Sequence, residues 1–132
     1  MTRQTNRRLV EAFVLAHDPS VLADHVVLHD QAQERSYVGR PAVAALLNAF
    51  FVQGFTAVRA EVQSSVVDQH SAALVFTFHG RQDGLFLGIP PTHRLVTVPM
   101  VVVCRIEDGQ ITCAMLFYNA GTLLRQLGLA NG

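Results

Sequence analysis

Leu9, Val10, Phe13 and Val14 recur at helical spacing after Asn6, which reads as the cap of a first helix. Asp18-Pro19 predicts a short second helix to about Asp24, with Asp as cap and Pro in the first turn. His25–Gln31 reads as a strand and Ser36–Gly39 as its short partner. Pro41 opens a third helix, Ala42–Gln53, which stops at Gly54. From there the period changes. Phe55–Val67 carries alternating and β-branched stretches, and Asp68-Gln69-His70 turns it into Ser71–His79, where Leu74, Phe76 and Phe78 alternate with Val75, Thr77 and His79. Gly80–Arg94 reads as a long loop. Two long strands follow, Leu95–Glu107 and Gln110–Asn119, and a short helix closes the chain over Gly121–Leu129. Nothing resembles a linker or a repeat, so a single domain is expected over residues 1–132. The order predicts an α+β fold, with helices packed on a curved antiparallel sheet.

Asp108-Gly109 is a two-residue hairpin signal, and it fixes an expected register. Opposed residues then sum to 217, so Cys104 faces Cys113, Val102 faces Met115, Met100 faces Phe117 and Val98 faces Asn119. A bulge shifts that register by one residue. Both faces of the hairpin are largely apolar, so neither simply faces water. One is expected to line the core or a pocket, the other to meet helices or a second copy of the chain. The two thiols are expected to stay reduced, as small buried hydrophobes.

Ten arginines balance ten acidic residues, which argues against a nucleic-acid partner, since that needs clustered cations. No lysine occurs anywhere. Schiff-base chemistry, covalent pyridoxal phosphate and the P-loop lysine are therefore excluded. The near-apolar runs Ala42–Val52 and Leu95–Cys104 are too short to span a bilayer. Arg3, Arg7 and Arg8 before Leu9–Ala16 mimic a signal peptide only faintly, because Glu11 interrupts the apolar stretch. A cytoplasmic protein without a membrane partner is expected.

Three segments carry a family likeness: "GLFLGIPPTHR" over 84–94, "RIEDGQI" over 105–111 and "YNAGTLLRQLGL" over 118–129. With "LHDQAQ" and "YVGRPAVAALL" earlier in the chain, they resemble the SnoaL-like polyketide cyclases of the nuclear transport factor 2-like superfamily. The resemblance implies a cone-shaped α+β barrel, usually dimeric, with an enclosed apolar pocket and no metal or organic cofactor. Family cyclases close a ring by an intramolecular aldol reaction on a polyketide-like or aromatic carbonyl compound. The chemistry needs a base beside an acidic C–H and donors at the developing oxyanion. The chain departs from the pattern at several positions. Asn119 stands where the family's acid/base Asp is usual, His93 replaces a loop glycine, Gln82 replaces a histidine, and the last strand lacks its tryptophan. An amide is not a general base, but it can hold an oxygen.

The candidate catalytic residues are thus Asn119, His29, Asp30 and His93, and the candidate substrate-binding residues are Tyr37, His79, Phe117, Met100 and Phe78. His29 and Asp30 are neighbours on a strand and point to opposite faces, so they need not form a dyad. His25 and His29 stand about 13 Å apart on a strand, too far to share a metal, and no metal site is expected. Histidine is a common proton-transfer side chain, so His93 offers replacement acid/base capacity, against the ordinary role of an exposed loop histidine. Tyr118 projects opposite to Asn119 on a regular strand, so only one of them faces the pocket unless a bulge intervenes, and Asn119 is the one expected there. Three functions stay open: a cyclase or isomerase working through an enolate, a hydrolase or cofactor-free hydroxylase, and a non-catalytic binder of small molecules.

Overall fold

The computed structural model describes residues 3–129. Helix α1, Arg3–Ala16, buries Val10, Phe13 and Val14, the apolar stripe read from the sequence. Asn6 is no cap. The helix starts earlier, and Asn6 lies fully buried within it, donating through Nδ2 to the carbonyls of Asp68 and Gln69, both at 3.0 Å. Those carbonyls belong to a tight turn on the far side of the chain, so the amide pins α1 to the sheet. The expected second helix shrinks to one 3₁₀ turn, Pro19–Val21, capped by Asp18. The residues after it join β1, Leu22–Asp30, in which Leu22, Ala23 and Val26 are buried.

β2, Arg35–Val38, folds back on β1. Helix α2, Arg40–Asn48, has Pro41 in its first turn and widens into a π-helical turn over Ala49–Gly54. The remaining strands are β3, Phe55–Val67, β4, Ser71–Gln82, β5, Leu95–Glu107, and β6, Gln110–Tyr118, before α3, Ala120–Gln126. Sheet order is β2-β1-β6-β5-β4-β3. Four pairs of chain neighbours, β1–β2, β3–β4, β4–β5 and β5–β6, are antiparallel as expected, but β1 and β6 pair in parallel. The sheet is therefore mixed, and it is open rather than closed into a barrel. Two register shifts in β3 bend it, as bulges do, around the helices. No helix among the described residues is long and apolar enough to cross a membrane.

The β5–β6 hairpin contains the irregularity that matters most. Glu107 pairs with Gln110 and Ile106 with Ile111, but beyond them Arg105 pairs with Cys113. Thr112 is the extra residue of a bulge. Every pair farther from the turn is displaced by one from the regular register: Cys104 meets Ala114, Val102 meets Leu116 and Met100 meets Tyr118. A one-residue slip exchanges the two faces of a strand. Tyr118 consequently shares the inner face with Met100, while Phe117 turns outward and is 42% exposed. Cys104 and Cys113 do not face each other, and both are free thiols.

β4 continues past Gly80 to Gln82, where a loop had been expected. Gln82 is fully buried and staples the loop after it. Its Nε2 donates to the carbonyls of Gly84, Ile89 and Pro90, and its Oε1 accepts from Thr92 N and Thr92 Oγ1. Gly84 is required there because a Cβ would sit 1.8 Å from the Gln53 carbonyl oxygen.

Candidate functional site

Between the inner face of the sheet and the helices lies a cavity of about 60 Å³. Phe13 and Val14 of α1, Phe50 and Phe51 of the π-helical turn, and Phe78 and Met100 of the sheet supply most of its apolar wall. Only two side chains on that wall are polar, Asp30 and His17. Asp30 comes inward because β1 alternates, with Val26, Leu28 and Asp30 buried on one face. It ends the strand, where the chain turns sharply and returns Gln33 beneath it.

Asp30 is 3% exposed, and both of its oxygens are engaged. Gln33 N donates to Oδ1 at 3.0 Å, and the Tyr118 hydroxyl donates to Oδ2 at 3.0 Å. Gln33 Nε2 in turn donates to the Tyr118 oxygen at 2.5 Å. Burial pushes the Tyr118 phenol far above its ordinary pKa, so it stays a donor throughout the neutral range. Each carboxylate oxygen has two acceptor sites, so one donor apiece leaves each with a lone pair to spare. An oriented carboxylate in an apolar chamber is the arrangement that proton abstraction from carbon requires.

His17 is the second polar group. Its ring stacks on Phe51, with centroids 3.7 Å apart and planes 13° apart. Its Nε2 is buried and has no hydrogen-bond partner, and burial lowers its pKa below the ordinary value.

Of the catalytic candidates from the sequence, Asp30 alone lines this cavity; of the substrate-binding candidates, Phe78 and Met100 line it. His29 is on the outer face of β1, with Nδ1 2.7 Å from Ser36 Oγ. His79 is also outside, 3.3 Å from Glu61 Oε1 and 3.4 Å from Thr97 Oγ1. His93 sits in the stapled loop at φ 59° and meets Asp83 Oδ1 at 2.9 Å. Asp83 also accepts from Thr56 and Arg81, and these bonds hold its carboxyl well below the usual range. Tyr37 is half-buried opposite Leu28 and packs against the core, beside the cavity rather than on its wall.

Asn119 does not face the cavity either. It is the N-cap of α3, and its Oδ1 accepts from Thr122 N at 3.1 Å. With Phe117 it borders a larger, open hollow on the outer face. The cause is the Thr112 bulge, which turned the end of β6 by one residue. Reading the strand as regular therefore favoured Asn119 over Tyr118. Gln33 and His17 gave no comparable signal. Gln33 acts through a turn after the strand, and His17 looks like an ordinary residue at a helix end.

The model of the SnoaL-like polyketide cyclase family matches residues 3–127. No curated protein matches the chain. Among solved structures, TsrD from Streptomyces laurentii is 25% identical with a TM-score of 0.83, over 98% of this chain and 99% of its own. A candidate SnoaL-like polyketide cyclase from Jannaschia sp. CCS1 is 18% identical with a TM-score of 0.87, over 98% and 96%. A protein of ketosteroid isomerase-like fold from Catenulispora acidiphila, solved in complex with trimethylamine, is 17% identical with a TM-score of 0.73, again over 98% and 96%. A match across nearly every described residue, on the same fold, places the chain in a family: it belongs to the SnoaL-like polyketide cyclases.

Proposed function

We propose that the chain is a cofactor-independent enzyme that forms an enolate from an aromatic or polyketide-like carbonyl compound, with Asp30 as the base. The observation that carries this is the buried Asp30 carboxylate, held by Tyr118 and Gln33 at the wall of an apolar cavity. Asp30 takes a proton from the carbon beside a carbonyl, leaving an enolate. In an aldol closure the enolate carbon attacks a second carbonyl of the same molecule, and the proton on Asp30 passes to the alkoxide that forms. In an isomerisation the same proton returns to a different carbon. Both balance without an oxidant or a metal. Asn119, at the position where the family usually has its acid/base Asp, caps α3, and the carboxylate comes from the first strand instead.

The outer face, with Val75, Val101 and Phe117 partly exposed, is proposed as the contact of a cytoplasmic homodimer of single-domain chains. Light scattering is expected to give twice the 14.5 kDa chain mass, and a monomer at micromolar concentration contradicts it. The second reading, a non-catalytic binder, is favoured by the amide at position 119. Incubation of 2-tetralone in D₂O separates the two. Protein-dependent deuterium uptake beside the carbonyl supports the enzyme, and binding of 2-tetralone without exchange supports the binder.

A further inference from the structure

His17 follows the last residue of α1 with φ 53°, a left-handed conformation that disfavours a β-carbon and that glycine or asparagine adopts more readily. From there the ring lies over the cavity against Phe51. Its Nε2 is closed off from solvent and unpaired, which is rare in folded proteins because buried polar atoms normally find partners. His17 and Phe51 are also half-buried, whereas Phe13, Phe50, Phe78 and Met100 are buried. The stacked pair is therefore, with Leu46, Ala60 and Leu116, part of the wall that reaches the surface, and it is the aromatic part. An apolar cavity that accepts a benzene ring measures about 150 Å³, against the 60 Å³ present here. An aromatic ligand must displace some of the wall, and half-buried rings give way at less cost than buried ones. Phe51 moreover lies on a π-helical turn, a wide backbone geometry frequent at functional sites.

We infer that His17 is a ligand-contacting residue of this cavity, its Nε2 hydrogen-bonding the polar end of a flat aromatic ligand that enters past Phe51. A neutral imidazole offers a donor on one nitrogen and an acceptor on the other, so a phenolic hydroxyl satisfies either tautomer at Nε2. The ligand class is thus a hydroxylated aromatic or its keto form. This rests on the cavity being the functional site, as proposed above.

Spectra of protein carrying ¹⁵N in its histidine rings and ¹³C in its Phe and Met side chains, titrated with 2-naphthol and with naphthalene, test it. The His17→Phe variant keeps a ring to stack on Phe51 and removes Nε2. The expected result is a shift of the His17 Nε2 resonance with 2-naphthol only, and roughly tenfold weaker binding of 2-naphthol to His17→Phe. Naphthalene is expected to bind both proteins alike. Shifts at Phe78 and Met100 with an unmoved His17 ring overturn the inference and leave the cavity reading standing. No shift at Phe78 or Met100 with either probe overturns both. Should His17→Phe fail to fold, the wild-type ring shift decides alone.

Discussion

The Tyr118 hydroxyl donates to Asp30 Oδ2 at 3.0 Å, joining residues 88 positions apart in the chain. The contact exists because β1 and β6 lie side by side in parallel, with Asp30 opposite Leu116 and Tyr118 two residues further along the same face. Removing this hydroxyl deprives Asp30 of one donor and leaves Gln33 Nε2 without its acceptor. Tyr118→Phe is expected to cost about 1–2 kcal/mol in urea unfolding. It is also expected to slow deuterium uptake by 2-tetralone, by tenfold or more, because the carboxylate is then held by Gln33 N alone. An unchanged exchange rate contradicts that positioning role.

Gln82 makes five side-chain hydrogen bonds from a fully buried position, so its loss strands several loop groups at once. Gln82→Leu has similar bulk but none of those partners. A loss of about 2–4 kcal/mol is expected. Limited proteolysis should show new cleavage within residues 83–94, and a cleavage pattern like the wild type's counts against the staple.

The two thiols should differ in reactivity. Burial, and secondarily the nearby Cys113, pushes the Cys104 thiol up to about 12. Iodoacetamide at pH 8 is therefore expected to modify the half-buried Cys113 and spare Cys104 until the protein unfolds. The same shift sets the sign of an alkaline effect. The unfolded thiol ionises from about pH 8.5 while the native one stays protonated, so stability falls as pH rises from there toward 12, by up to about 1.4 kcal/mol per unit. Cys104→Val should flatten that slope in urea titrations, and an unaltered slope contradicts the assignment.

Much of the fold was legible because its signals are local. The Asp108-Gly109 turn, the α1 stripe and the alternation of β4 each depend on residues a few positions apart, and the structure contains all three. Two features were not legible. The parallel pairing of β1 with β6 depends on contacts across most of the chain, and no periodicity reports it. The Thr112 bulge leaves no mark in a strand that is apolar on both faces, where either register buries hydrophobic side chains. The candidate site suffered most from that second gap, because one residue of slip exchanged Tyr118 for Asn119. Asp30 was narrowed to one of two neighbours by strand alternation, and β1 does turn it inward. His17 was invisible because its place on the cavity depends on one left-handed backbone angle.

That angle makes its own prediction. Asparagine tolerates the left-handed region better than histidine does, so His17→Asn should hold or raise the melting temperature while weakening 2-naphthol binding. Parallel loss of stability and affinity indicates instead that the Phe51 stack mainly supports the fold.

The central claim is that the working carboxylate is Asp30, with Asn119 serving as a helix cap. Rates of deuterium uptake by 2-tetralone in Asp30→Asn and Asn119→Leu measure it most directly, with urea unfolding of each variant alongside. Asp30→Asn is expected to lose about 10²–10⁴ in rate, the usual worth of a positioned proton-transfer group. Asn119→Leu is expected to keep its rate and lose about 1 kcal/mol of stability, the usual worth of an N-cap. A folded Asp30→Asn that exchanges at the wild-type rate, or an Asn119→Leu that folds normally but no longer exchanges, contradicts the account.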